Sequence, residues 1–161
     1  MGIIGENMKI RNGFVSNSSS SSFILINNDG LFIKPKLNIK DGVLNIDSTI
    51  GNHTYDWEHH IYNDFFDKLL YAYMQAQYSL NDQNIEMINE LLMSEYPEIN
   101  IINVIINVHN YDVIELERGY IDHQSTIIED PDIQCIFATK NNLRNFLFDP
   151  ISYIMQGNDN E

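Results

Sequence analysis

Three polar stretches of the chain hold side chains able to do chemistry. The first lies within "MKIRNGFVSNSSSSSFILI", where Ser16, Asn17, Ser18, Ser19, Ser20, Ser21 and Ser22 sit between Phe14-Val15 and the apolar run Phe23 to Ile26. A loop tied down at both ends in this way presents hydroxyls and backbone N–H groups, the chemistry of a nest for phosphate or another oxyanion. Lys9 and Arg11 would add charge-assisted hydrogen bonds to such an anion. The tract lacks the glycines and the Lys-Ser/Thr ending of a P-loop. Two competing readings need no ligand: a structural or flexible tract, and a site of phosphorylation or another modification.

The second stretch is "GYIDHQST", with Asp122, His123, Gln124 and Ser125. His123 can act as a general base or metal ligand oriented by a carboxylate. Neighbouring residues on a strand point to opposite faces, so a direct pair between Asp122 and His123 needs a turn, which Gly119 and the polar run after it allow. The competing reading is a hydrogen-bonded loop at a strand end. The third stretch, "HTYDWEHHIYND", offers His53, Asp56, Glu58, His59, His60 and Asp64, with Asp56/His60 and His60/Asp64 at helical i, i+4 spacing. It has no His-Glu-x-x-His pattern, so these residues read as a solvated helix face and no metal centre is assigned. A polar ending, "GNDN", adds Asn158 and Asp159. The serine tract, the Asp122-His123 loop and this ending all adjoin strand-like runs, so all three are expected to converge on one site.

Hydrophobic periodicity supplies the elements that must position these groups. Phe23 to Ile26 reads as a buried strand, Asp29-Gly30 as a hairpin turn, and Leu31 to Lys34 as the returning strand. Leu37 and Ile39, the turn Asp41-Gly42 and Val43 to Ile46 repeat the pattern, giving a small antiparallel meander. From about Asp56 the period lengthens. Trp57, Ile61, Phe65, Leu69 and Tyr73 recur every four residues and predict a helix running to Tyr78. Ser79 and Asp82 offer a capping box for a second helix with Ile85, Ile88, Leu91 and Leu92 on its face, stopped by Pro97. "INIINVIINV" reads as a central strand and Asp112 to Arg118 as its neighbour. "CIFAT" reads as another strand, with Cys135 a core residue. Thr139 caps a third helix that Pro150 ends, and "SYIMQ" is the last strand. The expected fold is α+β: an antiparallel-rich mixed sheet with two to three helices packed on one face.

Composition narrows the partners. The chain has 161 residues, 43% of them apolar, enough for one domain with a real core. Its net charge of −14 argues against a non-specific nucleic-acid binder. Residues 1–40 carry +3 and residues 41–161 carry −17, so the serine tract lies in the only basic part of an acidic chain. An acidic surface of that kind either keeps the protein soluble or docks on a basic partner. No apolar run is long enough to span a bilayer, and no basic-then-apolar leader opens the chain. The 25 Ile and 21 Asn reflect AT-rich codons. Gly5-Glu6-Asn7 is encodable as a ribosome-binding sequence upstream of an ATG. Translation is therefore expected to start at Met8, with residues 1–7 a non-native leader and residues 8–161 the domain.

From Met8, "MKIRNGFVSNSSSSSFI" resembles the opening of a group of small proteins encoded by bacteriophages and prophages. "IDHQS" (121–125) and "FLFDPISYIMQGNDN" (146–160) are also similar to segments of that group, which has Asn where Asp149 stands and often Thr where Gln156 stands. The resemblance implies a phage or prophage origin and no particular activity. Two functions follow as expectations. One is a binding protein of the infected bacterial cytoplasm that engages a host protein through its acidic surface. The other is a ligand-binding domain or small enzyme for a phosphate-bearing small molecule such as a nucleotide. Its anion would be held by Ser16 to Ser22 with Lys9 and Arg11, beside Gln124, Ser125, Asn158 and Asp159, with Asp122 and His123 for proton transfer. The residues specify no cofactor.

Overall fold

The structure, a computed structural model, describes residues 9–13, 20–28, 30–47, 60–78, 82–105 and 136–158. The expected α+β class is the observed one, with the strands divided between two sheets. The first sheet is antiparallel throughout. It orders β1 (Lys9–Gly13), β2 (Ser20–Ile26), β7 (Tyr153–Asn158) and β5 (His60–Tyr62) side by side. The second orders β3 (Ile39–Lys40), β4 (Val43–Asp47) and β6 (Ile101–Ile105), with β4 and β6 parallel. The helices are α1 (Phe65–Tyr78), α2 (Asp82–Glu95) and α3 (Lys140–Phe148).

Both sheets and helices α1, α2 and α3 share one core: Ile24 and Ile154 from the first sheet, Leu44 and Ile46 from the second, and Leu69, Ile88 and Leu143 from the helices. Phe148 is an aromatic junction within it, with ring centroids 4.8 Å from Phe32, 5.1 Å from Phe65 and 6.3 Å from Tyr96. Locally encoded features form as expected. Asp41 and Gly42 have φ of 52° and 77°, the left-handed pair of a two-residue turn joining β3 to β4. A Cβ at position 42 would also collide with the Asn100 side chain. Thr139 caps α3, its Oγ1 accepting the Asn142 N–H at 3.0 Å. Ile88, Leu91 and Leu92 are buried on α2.

Three expectations are corrected. The first helix starts at Phe65, because the Asp64 carboxylate accepts the Phe66 N–H at 2.8 Å and caps it there. His60–Tyr62, the preceding part of the apolar pattern, is a strand paired with β7. Leu31 to Lys34 is not a strand. That segment straps the helices instead: Ile33 N–H donates to the Phe148 carbonyl at 3.0 Å, the Tyr96 hydroxyl to the Pro35 carbonyl at 2.7 Å, and Lys34 to the last carbonyl of α2. β6 is paired to β4 on one side, and its other expected neighbour, Asp112 to Arg118, lies outside the described residues. Ile136 and Phe137 are buried but helical, so "CIFAT" is not a strand over the part described. The strand expected at Asp112 to Arg118, the Ser79 cap and Cys135 lie outside the described residues.

Candidate functional site

The serine tract enters the structure as the start of β2. Gly13, the last residue of β1, is opposite Ser22. On its other side β2 runs against β7, with Ser20 opposite Asn158, Ser21 opposite Gly157 and Ser22 opposite Gln156. Gln156 is in turn opposite His60 on β5. Gly13, Ser22, Gln156 and His60 therefore form one cross-strand row, and directly opposed residues share a sheet face. Two of the three flagged segments, the serine tract and the polar ending, meet at this end.

Lys9 and Arg11 are placed less favourably for an anion held by the serines. Lys9 is opposite Ile26, four positions along the strand from the Ser22 row, and Arg11 is opposite Ile24, two positions away. At ~3.4 Å per residue the Lys9 backbone is roughly 13 Å from that row. Ser16, Asn17, Ser18, Ser19, Asp122, His123, Gln124, Ser125 and Asp159 lie outside the described residues. Among the described residues there is no cluster of three or more His, Cys, Asp or Glu able to hold a metal ion.

A buried polar network fixes the other end of the same strands. Helix α1, "FFDKLLYAYMQAQY", is apolar around most of its circumference, and two of its polar side chains, Lys68 and Gln75, are buried. Lys68 is 1% exposed, and its Nζ donates to the Asp149 carbonyl at 2.8 Å and the Ser152 carbonyl at 3.0 Å. Both carbonyls belong to the turn "DPIS". There Asp149 Oδ1 accepts the Ile151 N–H at 2.8 Å, and the Ser152 N–H donates to the Asp149 carbonyl at 3.1 Å. Asn27, just beyond β2, donates from its backbone to Ser152 Oγ at 2.9 Å and from Nδ2 to Asp149 Oδ2 at 2.9 Å. The Ser152 hydroxyl donates to the Asn145 carbonyl at 2.9 Å, and Asn145 Nδ2 donates to Asn28 Oδ1 at 2.7 Å.

This network joins α1, the end of α3, the end of β2 and the start of β7. It thereby sets the register that brings Ser20–Ser22 against Gln156–Asn158. Burial lowers the Lys68 ammonium from its ordinary 10.5 to about 8, and the Asp149 and Asp64 carboxylates oppose that shift. Lys68, Asp149 and Ser152 are all sealed from solvent, so the group works as a positioning device rather than as a reaction centre. Sequence reasoning missed it. The available signal was a lysine and a glutamine inside an all-round apolar helix, whose burial demands partners.

The described residues hold ten acids and eight basic residues, so they carry only −2 of the total −14. The helix acids among them are partly matched. Arg144 Nε pairs with Glu95 Oε1 at 2.9 Å while stacking over the Phe32 ring, and Lys140 Nζ reaches Glu90 Oε2 at 3.3 Å. No protein-family model, no curated protein and no solved structure matches the chain. No helix among the described residues is long and apolar enough to cross a membrane.

Proposed function

We propose that this is a bacteriophage-type binding protein that acts during infection in the host cytoplasm by engaging a basic surface of a host protein. The observation that carries the reading is the concentration of charge. Residues 1–40 carry +3, whereas residues 106–135 contain Asp112, Glu115, Glu117, Asp122, Glu129, Asp130 and Asp132 against a single Arg118. An anionic stretch of that density favours encounter with a cationic partner and makes the association salt-dependent. The test is capture from host lysate at low and high salt, beside a variant with Glu115, Glu117, Glu129 and Asp130 changed to their amides. A specific host protein should be retained at low salt, released at high salt and lost with the variant. Failure to retain any host protein would end the reading.

A second reading has its own support in the pairing of Ser20–Ser22 with Gln156–Asn158, beside His60. Here the serine end of the first sheet holds a phosphate-bearing small molecule such as a nucleotide. A bound ligand at 100 times its Kd raises stability by about 2.7 kcal/mol. Nucleotides at saturation should therefore raise the Tm of the wild type and leave Ser20→Ala/Ser22→Ala unshifted. A wild-type Tm that no nucleotide moves, with or without divalent metal, excludes this reading.

A further inference from the structure

None of the chain's 23 Asp and Glu residues lies in β1, β2, β7 or β5, which carry Lys9, Arg11 and His60 instead. In a chain of net charge −14, these strands form a sheet whose own residues offer an anion no like charge.

The registers sort the residues of this sheet onto two faces. Ile24, Ile154 and Tyr62 form one row and are buried in the core, whereas the adjacent Ile61 is 49% exposed, so that row marks the core-side face. Arg11, opposite Ile24, belongs to the same row. Residues two apart along a strand share a face. The next core-side row is therefore Gly13, Ser22, Gln156 and His60, and the one beyond it is Ser20 and Asn158. The other face takes Asn12, Phe23, Met155 and Ile61 in one row and Ser21 with Gly157 in the next. Within one step along β2 and β7 the core-side face changes from apolar residues to hydrogen-bonding ones. Hydroxyls and amides on the side of a sheet that packs inward need partners.

The chemistry collected on that face suits a phosphate chain. The inner strands β2 and β7 bring serines and amides, the outer strand β1 brings a permanent cation at Arg11, and the outer strand β5 brings a titratable one at His60. Neighbouring strands are ~4.8 Å apart, so the two outer strands are separated by roughly 14 Å. That span suits linked phosphates approached from both sides better than one isolated oxyanion. We propose that the serine end of the first sheet binds a diphosphate group on its core-side face, with Ser20 and Ser22 between Arg11 on one side and His60 on the other. The proposal rests on the second reading above and narrows it: the phosphate chain is what is recognised, and a nucleoside without phosphate is not a ligand.

Calorimetric titration of the full chain with inorganic pyrophosphate, and with adenosine as the phosphate-free control, tests this. Pyrophosphate should bind the wild type and adenosine should not. Hydrogen bonds to charged groups are strong enough that Ser22→Ala, Arg11→Gln and His60→Gln should each weaken pyrophosphate binding about tenfold or more. Ser21→Ala, next to Ser22 in the chain but on the other face, should bind as the wild type does. In a loose serine-rich loop the neighbouring hydroxyls would count alike. Should a variant fail to fold, the wild type supplies an independent readout. Its backbone amide NMR signals should shift with pyrophosphate around Ser22, Gln156 and His60 and stay in place at Asn27 and Asn145.

If neither a nucleotide nor pyrophosphate binds the wild type, the second reading and this proposal fall together. Other outcomes overturn the proposal alone, with nucleotide binding still lost in Ser20→Ala/Ser22→Ala. These are binding of nucleotides without binding of pyrophosphate, binding of adenosine, equal loss in Ser21→Ala and Ser22→Ala, no loss in Arg11→Gln and His60→Gln, or amide shifts centred elsewhere.

Discussion

Lys68 and Gln75 lie seven residues apart on the same side of α1, and both are buried, yet the interior treats them in opposite ways. Lys68 carries a charge and has two carbonyl acceptors, with a carboxylate beside it. Gln75 is neutral, is fully buried, and neither its Oε1 nor its Nε2 finds a hydrogen-bond partner among the described residues. Polarity alone therefore does not decide whether a buried side chain stabilises. What matters is whether the surrounding backbone turns its carbonyls and N–H groups toward it, as "DPIS" does for Lys68.

The contrast can be broken most strongly at Lys68. Lys68→Met leaves two carbonyls without their donor and the Asp149 carboxylate without its nearest cation. It should cost roughly 3–5 kcal/mol in denaturant unfolding. A loss under about 1 kcal/mol would mean that the network does not hold the strands together.

Asp149→Asn removes the charge but keeps an oxygen for the Ile151 N–H. Its new amino group would face the Asn27 Nδ2 unless one amide flips. The expected cost is about 1–3 kcal/mol, with a further fall in the Lys68 pKa because a carboxylate that raised it is gone. A neutral outcome would show that the turn geometry, not the charge, is what Lys68 requires.

Gln75 should respond in the other direction. Gln75→Met keeps the length of the side chain and removes two unpaired polar atoms, so stability should rise by about 1–2 kcal/mol. If Gln75→Met is destabilising, the amide has a partner and the contrast with Lys68 disappears.

The last expected effect is on the pH dependence of stability. The Lys68 pKa of about 8 in the folded chain lies below its unfolded 10.5. Between those values the unfolded chain binds one more proton, so stability rises with pH, by at most about 1.4 kcal/mol per unit. A neutral amine still donates to both carbonyls, so deprotonation does not open the network. Tyr96 is pushed up to about 12 and Tyr73 is raised further by burial, its hydroxyl donating to Asn89 Oδ1 at 2.6 Å. Above pH 10 the unfolded tyrosines ionise first and stability falls. Thermal unfolding of the wild type should therefore be most favourable near pH 10, and the rise below that pH should be absent in Lys68→Met. A rise that persists in the variant would assign it to another group.

The three-stranded sheet shows the same principle at the surface. Asn45 and Asn103 are exposed and bonded to each other, while Ile101 and Ile105 beside them have exposed apolar surface. In the first sheet β2 lies between β1 and β7. In the second, β6 has one partner among the described residues.

Local chemistry by itself determined much of this protein. The α+β class, the Asp41-Gly42 turn, the Thr139 cap, the apolar face of α2 and the last strand are all legible, because each depends on side chains within a few residues of one another. The acidic imbalance and the apolar anchors of the serine tract are equally plain in composition. Strand pairing was decided only in three dimensions. β2 has the two ends of the chain as neighbours and not the adjacent Leu31 to Lys34, because that segment is drawn onto Tyr96 and Phe148. The meeting of Ser20–Ser22 with Gln156–Asn158 and the sealing of Lys68 over "DPIS" join residues more than eighty positions apart. Nothing in local periodicity encodes a distant partner, since any strand edge offers the same N–H and C=O groups. The choice among them falls to the packing of the shared core.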